Sequence, residues 1–364
     1  MKLVGIIGHF GFGLNMLNGQ TIKTKIVTKA LEDRFGNDEV LKVDTHGGAK
    51  TYLKLPFKMI GLLRCCENII IFPAHNGVRV IAPMLLFINF FYHRKIHYVV
   101  IGGWLSQMCE QNPWLMKQLK KIDYIYVETT TMKKALERQG FRNVLVMPNF
   151  KDLNILDKPE RRADGVLKLC TFSRVMKEKG IEEAVEATKI LNDSGIDCTL
   201  TIFGQIDKHQ IEWFEELKSN FPEFVDYGGV IPYEQSVDCL KNYDILLFPT
   251  YYEGEGFAGT LLDAMAAGVP IVASDWKYNS EIVNERNGVL VSEKDAEALA
   301  SAVQCIKDNH NLKITSLEEA RKYMPAEAMK PLIERIISNP NDVQRINQNF
   351  HVDTRKDTQD KYII

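Results

Sequence analysis

The chain has 364 residues, enough for about two domains of roughly 150–200 residues. Apolar residues make up 45% and charged residues 25%, which excludes a disordered tract, a collagen-like repeat and a disulfide miniprotein. The net charge of −2 hides an asymmetry, because residues 1–150 carry 20 Lys and Arg against 10 Asp and Glu while the remainder carries 25 against 37. Two lobes with different partners would produce this, and so would undirected drift of surface charge. None of the seven Cys forms a Cys-x-x-Cys pair, so buried reduced thiols are expected rather than a metal site or a disulfide framework.

Short apolar runs alternate with amphipathic segments from the start. Leu3–Ile7 reads as a buried strand rather than a secretory leader, and a glycine loop and a helix over Gln20–Arg34 follow. Val40–Val43, Ile69–Phe72, Tyr98–Ile101, Tyr124–Val127 and Val144–Met147 are further strands. Helical segments at Val78–Tyr92, Trp114–Lys121 and Met132–Gln139 separate them. This alternation predicts a parallel sheet covered on both faces.

The polar stretch Lys151–Gly165 reads as a linker. The pattern restarts with strands at Leu167–Phe172, Thr199–Phe203, Phe224–Tyr227, Ile245–Phe248, Ile271–Ala273 and Gly288–Val291, and with helices at Ile181–Asn192, Ile211–Ser219 and Thr260–Ala267. The expected architecture is α/β, with two Rossmann-like β/α/β domains facing each other across a cleft. The boundaries are 1–150 for the first domain, 151–165 for the linker and 166–335 for the second. A tail, 336–364, is expected to pack back on the first domain.

The most informative stretch runs from Pro249 to Pro270. A strand enters a loop holding Gly254, Gly256 and Gly259, and a helix follows. Backbone N–H groups there can approach a ligand, and the helix N-terminus favours an anion. Glu255 and Asp263 flank that position, and ionised carboxylates accept strong hydrogen bonds from sugar or ribose hydroxyls.

Glu255, seven intervening residues, Asp263 and the following Ala264-Met265-Ala266-Ala267-Gly268-Val269-Pro270 resemble the signature of family-4 (group 1) retaining glycosyltransferases of the GT-B fold. The resemblance extends to Ser173-Arg174 through Lys179-Gly180, to Phe203-Gly204, to Gly228-Gly229-Val230, to Glu281-Ile282-Val283 and Asn287-Gly288, and to Pro148-Asn149. It covers residues 145–292 well and the first half in outline. It implies that Glu255 holds donor-sugar hydroxyls, that Asp263 holds the ribose, and that Arg174 and Lys179 neutralise a departing diphosphate. It places donor contacts at Gly11, Gly13, Gly204, Val230, Gly256, Phe257, Ala258, Gly259, Thr260 and Leu261. The second acid is Asp where the family usually has Glu, which shortens its reach. Lys177 competes with Lys179 for its role, and Glu253 with Glu255. No Asp-x-Asp triplet is present, so fixed cations are expected in place of a metal ion and no cofactor is expected.

In the first half, Gly11-Phe12-Gly13 sits between strand and helix, but Met16 occupies the third glycine position of a dinucleotide fingerprint and only Asp44 approaches a ribose-binding position. The family often carries a His facing the reacting carbon. Here Gly102-Gly103-Trp104 follows the corresponding strand, so His75 and His9 are the candidates on the acceptor side, with Gly103 and Trp104 beside them. Residues 51–95 and 114–121 mix basic and apolar side chains. Contact with an anionic membrane or a lipid-diphosphate acceptor would explain that, and so would core helices with a solvated basic face.

The expected function is metal-independent transfer of a sugar, with retention, from a nucleotide-sugar to a glycan or lipid-linked glycan in surface polysaccharide assembly. The UDP-sugar donor rests on family frequency alone. The expected location is cytoplasmic or on the cytoplasmic face of a membrane, with no nucleic-acid partner. A nucleotide-sugar epimerase of the same fold and a non-catalytic nucleotide-sugar-binding scaffold are the alternatives.

Overall fold

The computed structural model describes residues 1–13, 19–47, 49–159 and 165–337. By contacts the chain divides into two units, Met1–Met147 with the residues from Ala328 onward, and Pro148–Glu327.

The first unit holds one six-stranded sheet of β1 (Lys2–Gly8), β2 (Val40–Asp44), β3 (Cys66–Ile71), β4 (Lys95–Val99), β5 (Tyr124–Val127) and β6 (Val144–Val146), in the order β2-β1-β3-β4-β5-β6. Every pairing is parallel, and β1 is buried along almost its whole length, as a sheet covered on both faces requires. Gly8 permits close helix packing, because a Cβ there would lie 2.5 Å from Thr24 Cγ2.

Two elements differ from the sequence reading. β4 begins at Lys95 rather than Tyr98 because His97 is fully buried yet satisfied. Its Nδ1 lies 2.9 Å from the Tyr126 hydroxyl and its Nε2 3.1 Å from Asn68 Oδ1. Ala49–Cys65 is one helix despite Pro56 in its interior, held by the buried face of Leu55, Met59, Leu62 and Leu63. Cys65 and Cys305 are exposed, against the expectation of buried thiols, because each lies on the outward side of its helix.

The second unit repeats the plan with β7 (Leu167–Phe172), β8 (Cys198–Phe203), β9 (Val225–Gly229), β10 (Ile245–Phe248), β11 (Ile271–Ser274) and β12 (Gly288–Val291), in the order β12-β11-β10-β7-β8-β9. Two apolar clusters fill it. One packs Ile181–Asp193 and Ala296–Ile306 on the sheet, the other Gly259–Ala266. Strand order reverses between β7 and β10, so loops leaving these strands diverge and open a crevice at their carboxyl ends.

The stretch expected as a linker packs on this unit at its start. Leu153 is buried, and the Leu156 N–H donates to the Ala266 carbonyl at 3.0 Å. Residues 160–164 of that stretch lie outside the described residues, as does the expected tail beyond Ile337. The helix Lys330–Ile336 is counted with the first unit, where the Arg335 guanidinium lies 5.4 Å from the centre of the Tyr124 ring.

Candidate active site

The crevice at the β7/β10 reversal contains a cavity of about 280 Å³ lined by Phe172, Ser173, Arg174, Met176, Lys179, Phe248, Tyr252, Glu255, Ala258, Gly259 and Thr260. Its side chains are held by the backbone beneath them. Lys179 ends a short turn, Lys177–Lys179, and Gly180 follows in the left-handed region at φ 73°. A Cβ on Gly180 would lie 2.2 Å from the Pro249 carbonyl oxygen, so only glycine allows this turn against the β10 loop. The Tyr251 N–H donates to the Glu178 carbonyl at 2.8 Å and ties the same segments together.

Lys179 Nζ lies 2.5 Å from Glu255 Oε2, and both side chains are nearly buried. Thr250 Oγ1 donates to the same oxygen at 2.8 Å. Lys179 Nζ also sits 5.6 Å and 5.2 Å from the ring centres of Phe248 and Tyr252. Arg174 reaches the cavity from the end of β7 and remains 61% exposed, with Asp207 Oδ2 at 3.6 Å. Lys177 turns instead toward the Trp213 ring, at 5.7 Å, and Glu253 pairs with Lys277 at 2.6 Å, so neither competitor joins the cavity lining.

The helix Gly259–Ala266 begins at the cavity with Ala258 as its N-cap and no side-chain cap, so its positive end faces that space. Thr260 Oγ1 is buried there without a hydrogen-bond partner. The Leu261 N–H is already engaged by the Ala258 carbonyl at 3.2 Å, and the Leu261 side chain is fully buried in the core. Phe257 also packs inward, against Tyr323.

Asp263 does not line the cavity. It is buried, and its Oδ2 lies 2.5 Å from Lys151 Nζ. Burial pushes its carboxyl up, against the lowering effect of Lys151 and Ser236. Lys151 lies 4.3 Å from the centre of the Tyr233 ring, and Asn149 Nδ2 donates to the Phe257 carbonyl at 3.1 Å. Sequence reasoning placed Lys151 in a linker and missed this pair; the signal was a lone cation two residues after Pro148-Asn149.

Gly204, Gly256 and Val230 also stay outside the lining, and Val230 is exposed. Gly204 answers a packing need, since at φ 138° its Cβ would fall 1.6 Å from the Ser173 carbonyl oxygen. It therefore supports the turn that carries Arg174.

The remaining candidates share the carboxyl edge of the first sheet. Gly11 and Gly13 both have positive φ, 58° and 80°. Their loop is held by Asp44, whose carboxylate accepts from the N–H groups of Phe10 at 2.9 Å and Phe12 at 3.1 Å. Burial raises the Asp44 carboxyl, but these amides, with those of His46 and Gly11, hold it below its usual range. Asp44 is thus a loop anchor, not a free ribose ligand.

His9 lies 2.8 Å from Thr21 Oγ1 and 3.1 Å from His46, a neighbour the sequence did not reveal. His75 is exposed, with its ring 5.2 Å from that of Trp104. The Trp104 indole N–H donates to the Ile101 carbonyl at 2.7 Å, and Gly103 lies within that same turn. A buried pair, Lys23 and Glu128 at 3.8 Å, was also missed.

Residues 154–324 match the family model of glycosyl transferases group 1. That match takes in most of the second unit and just under half of the chain. An uncharacterized glycosyltransferase of Methanocaldococcus jannaschii is 25% identical over 245 residues, which are 60% of each chain. The amylovoran biosynthesis glycosyltransferase AmsK of Erwinia amylovora is 31% identical over 140 residues, 37% of this chain and 34% of that one. The chain thus spans less than two thirds of the length of either curated relative. The crystal structure of Anabaena HepE in complex with UDP superposes with a TM-score of 0.71 at 16% identity, over 93% of this chain and 100% of that one. That likeness shows the fold, two Rossmann-like units of the GT-B type.

Proposed function

We propose that this chain transfers a sugar from a nucleotide-sugar, a UDP-sugar, to a glycan or lipid-linked glycan acceptor in surface polysaccharide assembly. The UDP complex of HepE and the amylovoran role in the name of AmsK support that choice of donor and pathway class. The observation that carries the reading is the meeting of Arg174, Lys179, Glu255 and the Gly259 helix end in one cavity at the β7/β10 reversal.

Cleavage of a sugar–diphosphate bond builds negative charge on the leaving phosphate and positive charge on the sugar carbon. Arg174 and Lys179 neutralise the former, aided by the helix dipole, so the reaction needs no metal ion. Glu255 accepts the donor-sugar hydroxyls, and Thr250 and Lys179 fix its orientation. Asp263, paired with Lys151 outside the cavity lining, fixes the start of the Gly259 helix whose end faces the donor. Transfer keeps the anomeric configuration by front-face attack within a tight donor–acceptor pair, with no enzymic nucleophile. Closure of the site excludes water that would otherwise hydrolyse the donor. The reading places the protein in the cytoplasm or on the cytoplasmic face of a membrane. No helix among the described residues is long and apolar enough to cross one.

The test is UDP release from a panel of UDP-glucose, UDP-galactose and UDP-N-acetylglucosamine. We expect slow release with one donor, reduced about 100-fold or more in Glu255→Gln. Conversion of the sugar to its epimer without UDP release would instead support the epimerase, and binding without turnover the scaffold.

A further inference from the structure

The first unit presents an apolar surface that its own core does not use. The helix Val78–Asn89 buries Val78, Ile81, Ala82 and Leu85 and turns its opposite side outward. Val80, Phe87 and Phe91 follow one another along that side, and they are 50%, 74% and 70% exposed. Phe90 beside them is 70% exposed. The helix Ala49–Cys65 packs alongside and adds Leu53 and Phe57, one turn apart and 75% and 77% exposed. The helix Pro113–Leu119 lies against the same neighbour and adds Trp114, 58% exposed.

The phenylalanines are held outward by local structure. Asn89 closes the turn after its helix, donating to the Arg94 carbonyl and accepting from the Arg94 N–H, each at 2.8 Å. His93 adopts φ 54° within that turn. The rings of Phe90 and Phe91 meet edge to face at 5.4 Å. Scattered exposed apolar residues are ordinary, but a contiguous aromatic face on adjacent helices marks an interaction surface.

Its charge identifies the partner. Lys54, Lys58 and Arg64 are exposed along one helix, Arg79 on the next and Lys117 on the third. From residue 45 to residue 109 the only acid is Glu67. Cations around an aromatic centre complement anionic headgroups above acyl chains.

We propose that this face docks on an anionic lipid bilayer, with Phe57, Phe87 and Phe91 among the acyl chains and Lys54, Lys58 and Arg79 at the headgroups. The proposal goes beyond the donor reading and stands without it. The experiment is co-sedimentation of the full chain with vesicles of phosphatidylcholine containing about one third phosphatidylglycerol, against phosphatidylcholine alone. We expect binding to the anionic vesicles that weakens with salt. Phe87→Ser with Phe91→Ser should weaken it about tenfold or more, and Lys54→Glu with Lys58→Glu should weaken it about as much and flatten the salt dependence. Brominated lipid should quench indole fluorescence in the full chain, and Trp114→Phe should remove most of that quenching. Thermal unfolding and far-ultraviolet circular dichroism confirm that each variant folds. No binding to anionic vesicles, or binding indifferent to the phenylalanine pair, overturns the proposal. So does a soluble dimer, seen by light scattering, that the phenylalanine pair dissociates while no vesicle binding is found.

Discussion

Lys179 Nζ and Glu255 Oε2 are 2.5 Å apart on the floor of a cavity whose only other cationic side chain is Arg174. The pair joins the group expected to neutralise a leaving phosphate to the group expected to hold the sugar. Each holds the other in place until a ligand divides their hydrogen bonds. Replacing one partner leaves a nearly buried charge without compensation. Lys179→Met should therefore lower stability by about 3 kcal/mol, and the double variant Lys179→Met with Glu255→Gln should recover part of that loss. A urea-denaturation cycle of the four proteins measures the coupling.

Asp263 makes a second ion pair, with Lys151, and that pair is more deeply buried at the carboxylate end. Burial already pushes its carboxyl up, so removing Lys151 should raise it further. Lys151→Ala should destabilise the second unit by about 3 kcal/mol and shift the helix that begins at Gly259, whose Cβ position lies 3.2 Å from Lys151 Cε. The affinity for UDP, followed by calorimetry, should fall with it. A Lys151→Ala protein as stable as the parent would contradict the role given to this lysine.

Two glycines separate packing from conformational strain. Gly204→Ala drives a Cβ into the Ser173 carbonyl at 1.6 Å, so the β7 turn must move and Arg174 with it. The cost should be about 3 kcal/mol or more, with UDP affinity reduced. Gly13 has φ 80° but nothing within 4 Å of its Cβ position. Gly13→Ala should cost only about 1 kcal/mol. Thermal unfolding of both variants compares them directly.

His97 gives the fold an acid limit. Burial, reinforced by Lys95, holds its imidazole down to about 3, against 6.5 when free. Between those values the unfolded chain binds a proton that the folded chain does not. Its contribution to stability is complete above pH 6.5 and is lost as the pH falls, by about 1.4 kcal/mol per unit. His97→Gln should remove that part of the slope between pH 6.5 and 5 while lowering stability at pH 7, because Tyr126 and Asn68 lose a partner. Equal slopes in the two proteins would count against it.

The strands were legible where β-branched and aliphatic runs had no polar interruption, as at Ile245–Phe248 and Gly288–Val291. β4 was shortened in the reading because His97 looks polar until its two partners arrive from β3 and β5. The helix Ala49–Cys65 was obscured by Pro56, whose cost is outweighed by a tertiary face that sequence alone does not display. The Glu255 and Asp263 spacing was visible because both acids sit on one continuous loop and helix. Their cationic partners differ in legibility. Lys179 lies close to Arg174 in sequence, whereas Lys151 reaches Asp263 from 112 residues away. Which of Lys177 and Lys179 lines the cavity depends on the backbone, through the glycine that follows Lys179.

The central claim is that the second unit seats a nucleotide-sugar diphosphate against Arg174 and Lys179. The most direct measurement is isothermal titration of the full chain with UDP-, GDP- and ADP-sugars, without added metal ion and with EDTA present. The account predicts saturable binding of a UDP-sugar, weakened about 100-fold or more when Arg174→Ala and Lys179→Met are combined. No heat with any of the three donor classes, or binding that survives loss of both cations, would contradict it.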